Sequence, residues 1–403
     1  MTSAPIARPP ARIVSIDIFR GLTMAVMIFV NALDGVQGLP WWTFHAHAEE
    51  NVMTYVDMVF PFFLFIVGMS MPLAIERRLA RDSSQFRLWS HIVVRAVSLI
   101  VLGLILANAG RADAARMGLS GAAWALIALI AAMFYLNVYP QTGRITPFVP
   151  YLRYGGLAVV AACLAIFRAR PVEGRPGWLD FSYPEILGLI GFTYLATAIL
   201  YVPARRRAWM QYVWLAALLT LCALSTARII PFPGRLSWMV WPWSNGALCA
   251  LVMAGIVTSV IFFPDGRPRE WPRAALPALG VALLAFSLGV LLIPLGISKI
   301  RATPTWVLWS VAAAMPLFLL LYWICDVRGS TRWAFWVRAA GANTLTTYLL
   351  PDLWYFATVW LGVTFYEAHF NAGWPGVIKT VVFTLVMLAA ASVLTRARVR
   401  LQL

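Results

Sequence analysis

Apolar stretches of about 20 residues recur along the whole chain, each closed by a cluster of Arg, Pro or Gly. A helix needs about 20 apolar residues to cross a hydrocarbon layer of ~30 Å, whereas the strands of a membrane barrel alternate in segments of about 10. The stretches here do not alternate, so a barrel is excluded and helices remain. Composition agrees, because 61% of the 403 residues are hydrophobic and 12% are charged, against about 25% charged in soluble domains. With a mean hydropathy of +0.78, no single water-surrounded core could hide this much apolar surface.

The expected fold is therefore all-α, a polytopic membrane helix bundle of about twelve transmembrane helices. Spans fall near 13–36, 54–76, 89–109, 120–139, 153–168, 184–203, 209–227, 245–263, 274–294, 304–325, 333–359 and 376–395. Every loop is short and there is no internal repeat, so residues 1–403 read as one transmembrane domain, with residues 1–12 a short basic tail. That opening is Pro-rich, and the run after it holds Asp17 and Arg20 without a small-residue cleavage site, so it is expected to be retained as the first span.

The formal net charge of +16 would suggest nucleic acid in a soluble protein. Here the positive residues sit at the ends of apolar runs and report orientation instead. Loops on the side of the termini carry 19 basic residues against nine on the other side, which puts both termini in the cytoplasm. Nearly all are Arg; Lys299 and Lys379 are the only lysines. Cys163, Cys222, Cys249 and Cys325 form no CxxC pair and no metal-type spacing, so no metal site is expected.

Intramembrane polar residues are where the chemistry of such a chain has to be sought. In the first span Asp17, Arg20 and Asn31 fall within about 60° of one another at 100° per residue, making one polar stripe. Asp17 and Arg20 can pair at the cytoplasmic end, and Asn31 lies about 21 Å further along. The plainest reading is an ion pair that seats the helix, with Asn31 as a contact between helices. The following outer loop, GLPWWTFHAHAEENVMTYVD, holds His45, His47, Glu49 and Glu50 behind two tryptophans. It could be a general-base site, a metal site or a solvated interfacial loop, although there is no remote cluster to complete a metal shell. Asp57 begins the next span, and Pro61 removes the N–H that would have bonded the Asp57 carbonyl, so a broken turn beside an ionisable group marks the outer mouth.

These residues resemble a known family. The run SIDIFRGLTMAVMIFVN, then HAE, then VDMVFPFFLFIVGMSMPL is similar to the catalytic domain of heparan-α-glucosaminide N-acetyltransferase and its bacterial relatives. The likeness returns in LLLYWICDVRG and in WAFWVRAAGANTLTTYLLPD, with Gly341, Asn343 and Tyr348 in a GxN helix. The resemblance implies a membrane enzyme that takes acetyl from cytoplasmic acetyl-CoA, as co-substrate, to an amino sugar or other saccharide acceptor on the outer, periplasmic side of a bacterial inner membrane. Membrane lipid surrounds it, nucleic acid has no part, and self-association into a homodimer is left open. The family histidine stands ten residues before the Asp of its DLVFP segment, which picks His47, not His45, as the catalytic residue. Asn31 matches the Asn closing the family's first helix and is expected to orient His47 or to steady the thioester oxyanion. Asp17, Arg20 and Asn343 are expected along the coenzyme passage, with Arg77–Arg81 and Arg205–Arg207 at its phosphate end. Glu49 and Asp57 would hold the cationic acceptor.

Departures are visible. The family's Gln-Arg pair in PGVLQRI has no equivalent in PEILGLIG at 184–191, the family core is nearer ten spans, and the soluble luminal domain of the animal enzyme is expected to be absent. The rival reading is a twelve-span secondary transporter of a sugar, against which no matching halves or paired interrupted helices are found.

Overall fold

Where four or more turns of the sequence are apolar, a helix forms, because a backbone in lipid must satisfy its own hydrogen bonds. The computed structural model describes residues 13–172, 175–230, 245–365 and 369–402. Its principal helices are α1 (Val14–Leu33), α2 (Val59–Arg81), α3 (Gln85–Ala109), α4 (Gly121–Leu136), α5 (Val149–Ile166) and α6 (Glu185–Ala204). They continue as α7 (Ala208–Thr226), α8 (Ala247–Phe262), α9 (Trp271–Leu291), α10 (Pro304–Tyr322), α11 (Phe335–Ala342), α12 (Thr344–Trp360) and α13 (Gly373–Arg396). Nine helices among the described residues are long and apolar enough to cross a membrane, and α4 and α8 are shorter apolar helices. Each of the twelve expected spans has its helix, with one correction. The span expected at 333–359 is two helices, α11 and α12, because Asn343 leaves helical geometry at φ −127° and ψ 55°. A short antiparallel pair, Ala169–Val172 with Arg175–Gly177, stands between α5 and α6. The basic tail expected at 1–12 lies outside the described residues.

Two close crossings hold the centre. Helix α8, buried nearly all round, lies along α2, with Gly68 against the Val252 carbonyl and Gly255 against that of Phe65; a Cβ at either glycine would collide with main chain. Helix α11 crosses α1 in the same way, Gly341 meeting the Asp17 carbonyl and Gly21 that of Val337. Such approaches are how helices associate where lipid removes any hydrophobic drive between them.

Both ends of the described chain lie at one end of the bundle. Asp326, after α10, accepts hydrogen bonds from the first amides of α1, Val14 N–H at 3.0 Å and Ser15 N–H at 3.1 Å. Asn343 donates to the Thr395 hydroxyl and the Val399 carbonyl of the C-terminal segment. The loops between α1 and α2 and between α9 and α10 lie at the opposite, far end.

Candidate active site at the far end of the bundle

Pro61 has no N–H, so the carbonyl of Asp57 lacks its partner one turn ahead. The indole of Trp306 supplies it, donating to that carbonyl at 3.0 Å from α10, fully buried. This fixes the mouth of α2, and with it the Asp57 side chain, which is 1% exposed. Its Oδ2 accepts from the Thr54 N–H at 3.1 Å, the Ala46 N–H at 3.3 Å and the Thr54 hydroxyl at 3.3 Å. Its Oδ1 stands 2.8 Å from His45 Nδ1. A carboxylate only accepts, so Nδ1 is the donor nitrogen of this pair and Nε2 carries the lone pair. The imidazole remains 43% exposed.

Lys299, from the loop before α10, brings Nζ to 3.3 Å from both ring nitrogens of His45. Burial pushes its ammonium below the ordinary lysine value, and the Asp57 charge acts in the opposite direction. Arg301 in the same loop donates to the Asn51 side chain at 2.6 Å, tying the two far-end loops together.

The structure thus joins His45, Asp57 and Lys299, and leaves His47 apart. His47 is exposed, and its backbone N–H donates to Glu50 at 3.0 Å. The spacing of ten to Asp57 therefore does not pick the histidine that meets the carboxylate; the loop folds so that the one twelve residues before it does. Asp57 is engaged by this chain's own groups instead of facing an acceptor, and Glu49 lies exposed on the loop.

Asn31 lies elsewhere. It lines a cavity of about 1870 Å³ walled by α1, α4, α12 and α13, whose lining includes Glu185, Tyr348, Asp352 and Lys379 but neither His45 nor His47. The other end of the stripe forms as expected: Arg20 stands 3.6 Å from Asp17 and donates to the Ser70 hydroxyl at 2.7 Å and the Gly341 carbonyl at 3.2 Å. Asn343 is 2% exposed, and its amide oxygen accepts from Thr346 while its NH₂ serves the C-terminal segment. Its polar atoms thus hold α12 to the C-terminal segment. At the same end Arg205 stands 3.7 Å from Glu76, drawing the Arg205–Arg207 loop to the Arg-rich end of α2.

Sequence reasoning passed over Lys299, Trp306, Glu185 and Asp352. A signal existed for one of them: of the two lysines in the chain, one stands at His45 and the other in the cavity wall.

A family model described as a domain of unknown function, DUF5009, matches residues 12–229. The chain belongs to this family. Asn31, His45, Asp57 and Glu185 all fall within the matched residues. Heparan-alpha-glucosaminide N-acetyltransferase of Homo sapiens is 41% identical over 99 residues, 25% of this chain and 14% of that protein. The Mus musculus protein of the same name is 39% identical over 97 residues, 24% of this chain and 14% of its own length. The stretch in common is thus about a seventh of the length of these curated relatives, and the resemblance read from the motifs is found to that extent.

Proposed function

We propose that the protein is a membrane acetyltransferase that moves acetyl from acetyl-CoA to the amine of a glucosaminide-like sugar at the far end of the bundle. The observation that carries this reading is the His45–Asp57 pair, with the imidazole 43% exposed at the far end, in a chain whose relatives bear an N-acetyltransferase name. An amine attacks a thioester only as its neutral form. His45 Nε2 accepts the proton as the N–C bond forms, and the C–S bond breaks to release the coenzyme thiolate. Asp57 holds the ring with Nδ1 as donor. Lys299 offers its ammonium to the oxyanion that develops on the acetyl carbonyl, where a fixed charge has most effect.

Acetyl-CoA is assigned to the termini end, which is read as cytoplasmic from the 19 to nine division of basic residues. The residues there fit a polyphosphate: the Arg205–Arg207 loop meets the end of α2, which bears Arg77, Arg78 and Arg81. His47 and Glu49 are placed at the rim, where Glu49 can attract the cationic acceptor, and Asn31 in the acceptor's cavity wall.

The experiment is acetyl transfer from radiolabelled acetyl-CoA to a panel of amino sugars by the purified protein. His45→Ala is expected to lower turnover by about 10²-fold or more and His47→Ala to have a small effect. A folded His45→Ala protein working at near the parent rate, or an inactive but folded His47→Ala protein, overturns the assignment.

A further inference from the structure

The cavity of about 1870 Å³ is larger than the ~300–1,000 Å³ that encloses an ordinary small ligand. One sugar ring would leave most of it to be filled by something else. Its lining has two characters. Asn31, Glu185, Asp352 and Lys379 present polar groups into it, while Trp354, Trp360, Ile378 and Val382 make a wall. Those four apolar side chains are exposed and belong to helices read as crossing the membrane, so the wall opens towards acyl chains.

The Glu185 carboxylate serves the fold as well as the cavity, accepting from the Leu187 N–H at 3.0 Å at the start of α6. Glu185 sits at φ 57°, in the left-handed region that a side chain with a Cβ rarely adopts. Tyr348 donates to it, 3.3 Å from each carboxylate oxygen, so the strained residue is held in place. Asp352, one helical turn beyond Tyr348, has no hydrogen-bond or ion-pair partner among the described residues, and the same holds for Asn31 and Lys379. Ionisable groups left without partners at membrane depth mark a pathway or a ligand. The lining carries three carboxylates, Asp34, Glu185 and Asp352, against two cations, Arg170 and Lys379, and the one negative charge left over favours a cation.

We infer that this cavity takes an amine-bearing sugar head carried on a lipid chain, the amine at Asp352 and Glu185 and the chain along Trp354, Trp360 and Val382. The inference rests on the proposed amino-sugar acceptor for the nature of the head, and adds that the acceptor is membrane-borne; since neither His45 nor His47 lines the cavity, it is a holding site that the head leaves to meet His45.

The test is saturable binding of tritiated octyl β-D-glucosaminide to the full chain in lipid nanodiscs, corrected with empty discs and with no acetyl-CoA present. Unlabelled octyl β-D-glucoside, which lacks the amine, and glucosamine, which lacks the chain, are expected to compete at least about tenfold more weakly than octyl β-D-glucosaminide. Asp352→Asn is expected to remove most of the preference for the amine, and Asp352→Glu to keep it. The inference is overturned by the absence of a saturable component, by equal competition from either partial ligand, or by an unchanged preference in folded Asp352→Asn. If Asp352→Asn does not fold, the parent's competition ratios decide. A protein that acetylates free glucosamine yet binds no alkyl glucosaminide retires this inference alone; saturable binding without acetyl transfer retires the transferase reading alone.

Discussion

Asp57 is 1% exposed, and its two oxygens accept from His45, Ala46 and Thr54. An amide in its place turns an NH₂ group towards donors on one side or the other. Asp57→Asn is thus expected to cost about 1–3 kcal/mol of stability, read as a lower Tm in detergent. It is also expected to lower acetyl transfer by at least about tenfold with a displaced pH profile, which a purely structural carboxylate would not produce. Lys299 gives a second prediction. Its pKa is lowered in the fold, so between the folded value and the ordinary one the unfolded chain binds more protons, and stability rises with pH through that window. Lys299→Met should flatten this rise when Tm is followed from neutral to alkaline pH; a rise of unchanged steepness would contradict the burial of the charge. Sequence could not separate His45 from His47, since both share one loop and one composition. The choice depends on how that loop folds back onto the start of α2, which no local spacing encodes.

At the level of elements, Pro61 announces in the sequence that the Asp57 carbonyl needs a donor, but not which donor. Trp306 lies 249 residues further on and meets it only through the packing of α10 on α2. Trp306→Phe should leave a buried carbonyl unpaired and lower stability by about 1–3 kcal/mol. Adding Pro61→Ala restores an N–H one turn ahead, so the double variant should recover part of the loss in Tm. A double variant less stable than either single one would contradict this account of the mouth. Asn343 shows the same limit of local reading. The sequence places it in a helix, and the structure uses it to break that helix and bind the C-terminal segment, a partner 56 residues away.

For the whole molecule, the helical bundle was legible because lipid requires about 20 apolar residues per helix and rejects unpaired backbone, and nine helices among the described residues meet that length. Which helices touch was not legible. Small residues such as Gly68 and Gly255 become an interface only when both are brought to one crossing. The cavity was hidden for the same reason, since Asn31, Glu185 and Asp352 come from three distant helices. Orientation is a property of this scale too: a cysteine introduced at Ala48 should be labelled by an impermeant reagent in intact cells, and labelling only after permeabilisation would reverse the bundle. The measurement that bears most directly on the account uses proteoliposomes sorted for one orientation, with radiolabelled acetyl-CoA on the termini side and an amino sugar sealed on the other. Labelled N-acetyl sugar should accumulate on the far side with the parent protein and fall by about 10²-fold with His45→Ala. No label crossing to any amino sugar, or equal crossing with folded His45→Ala, would contradict it.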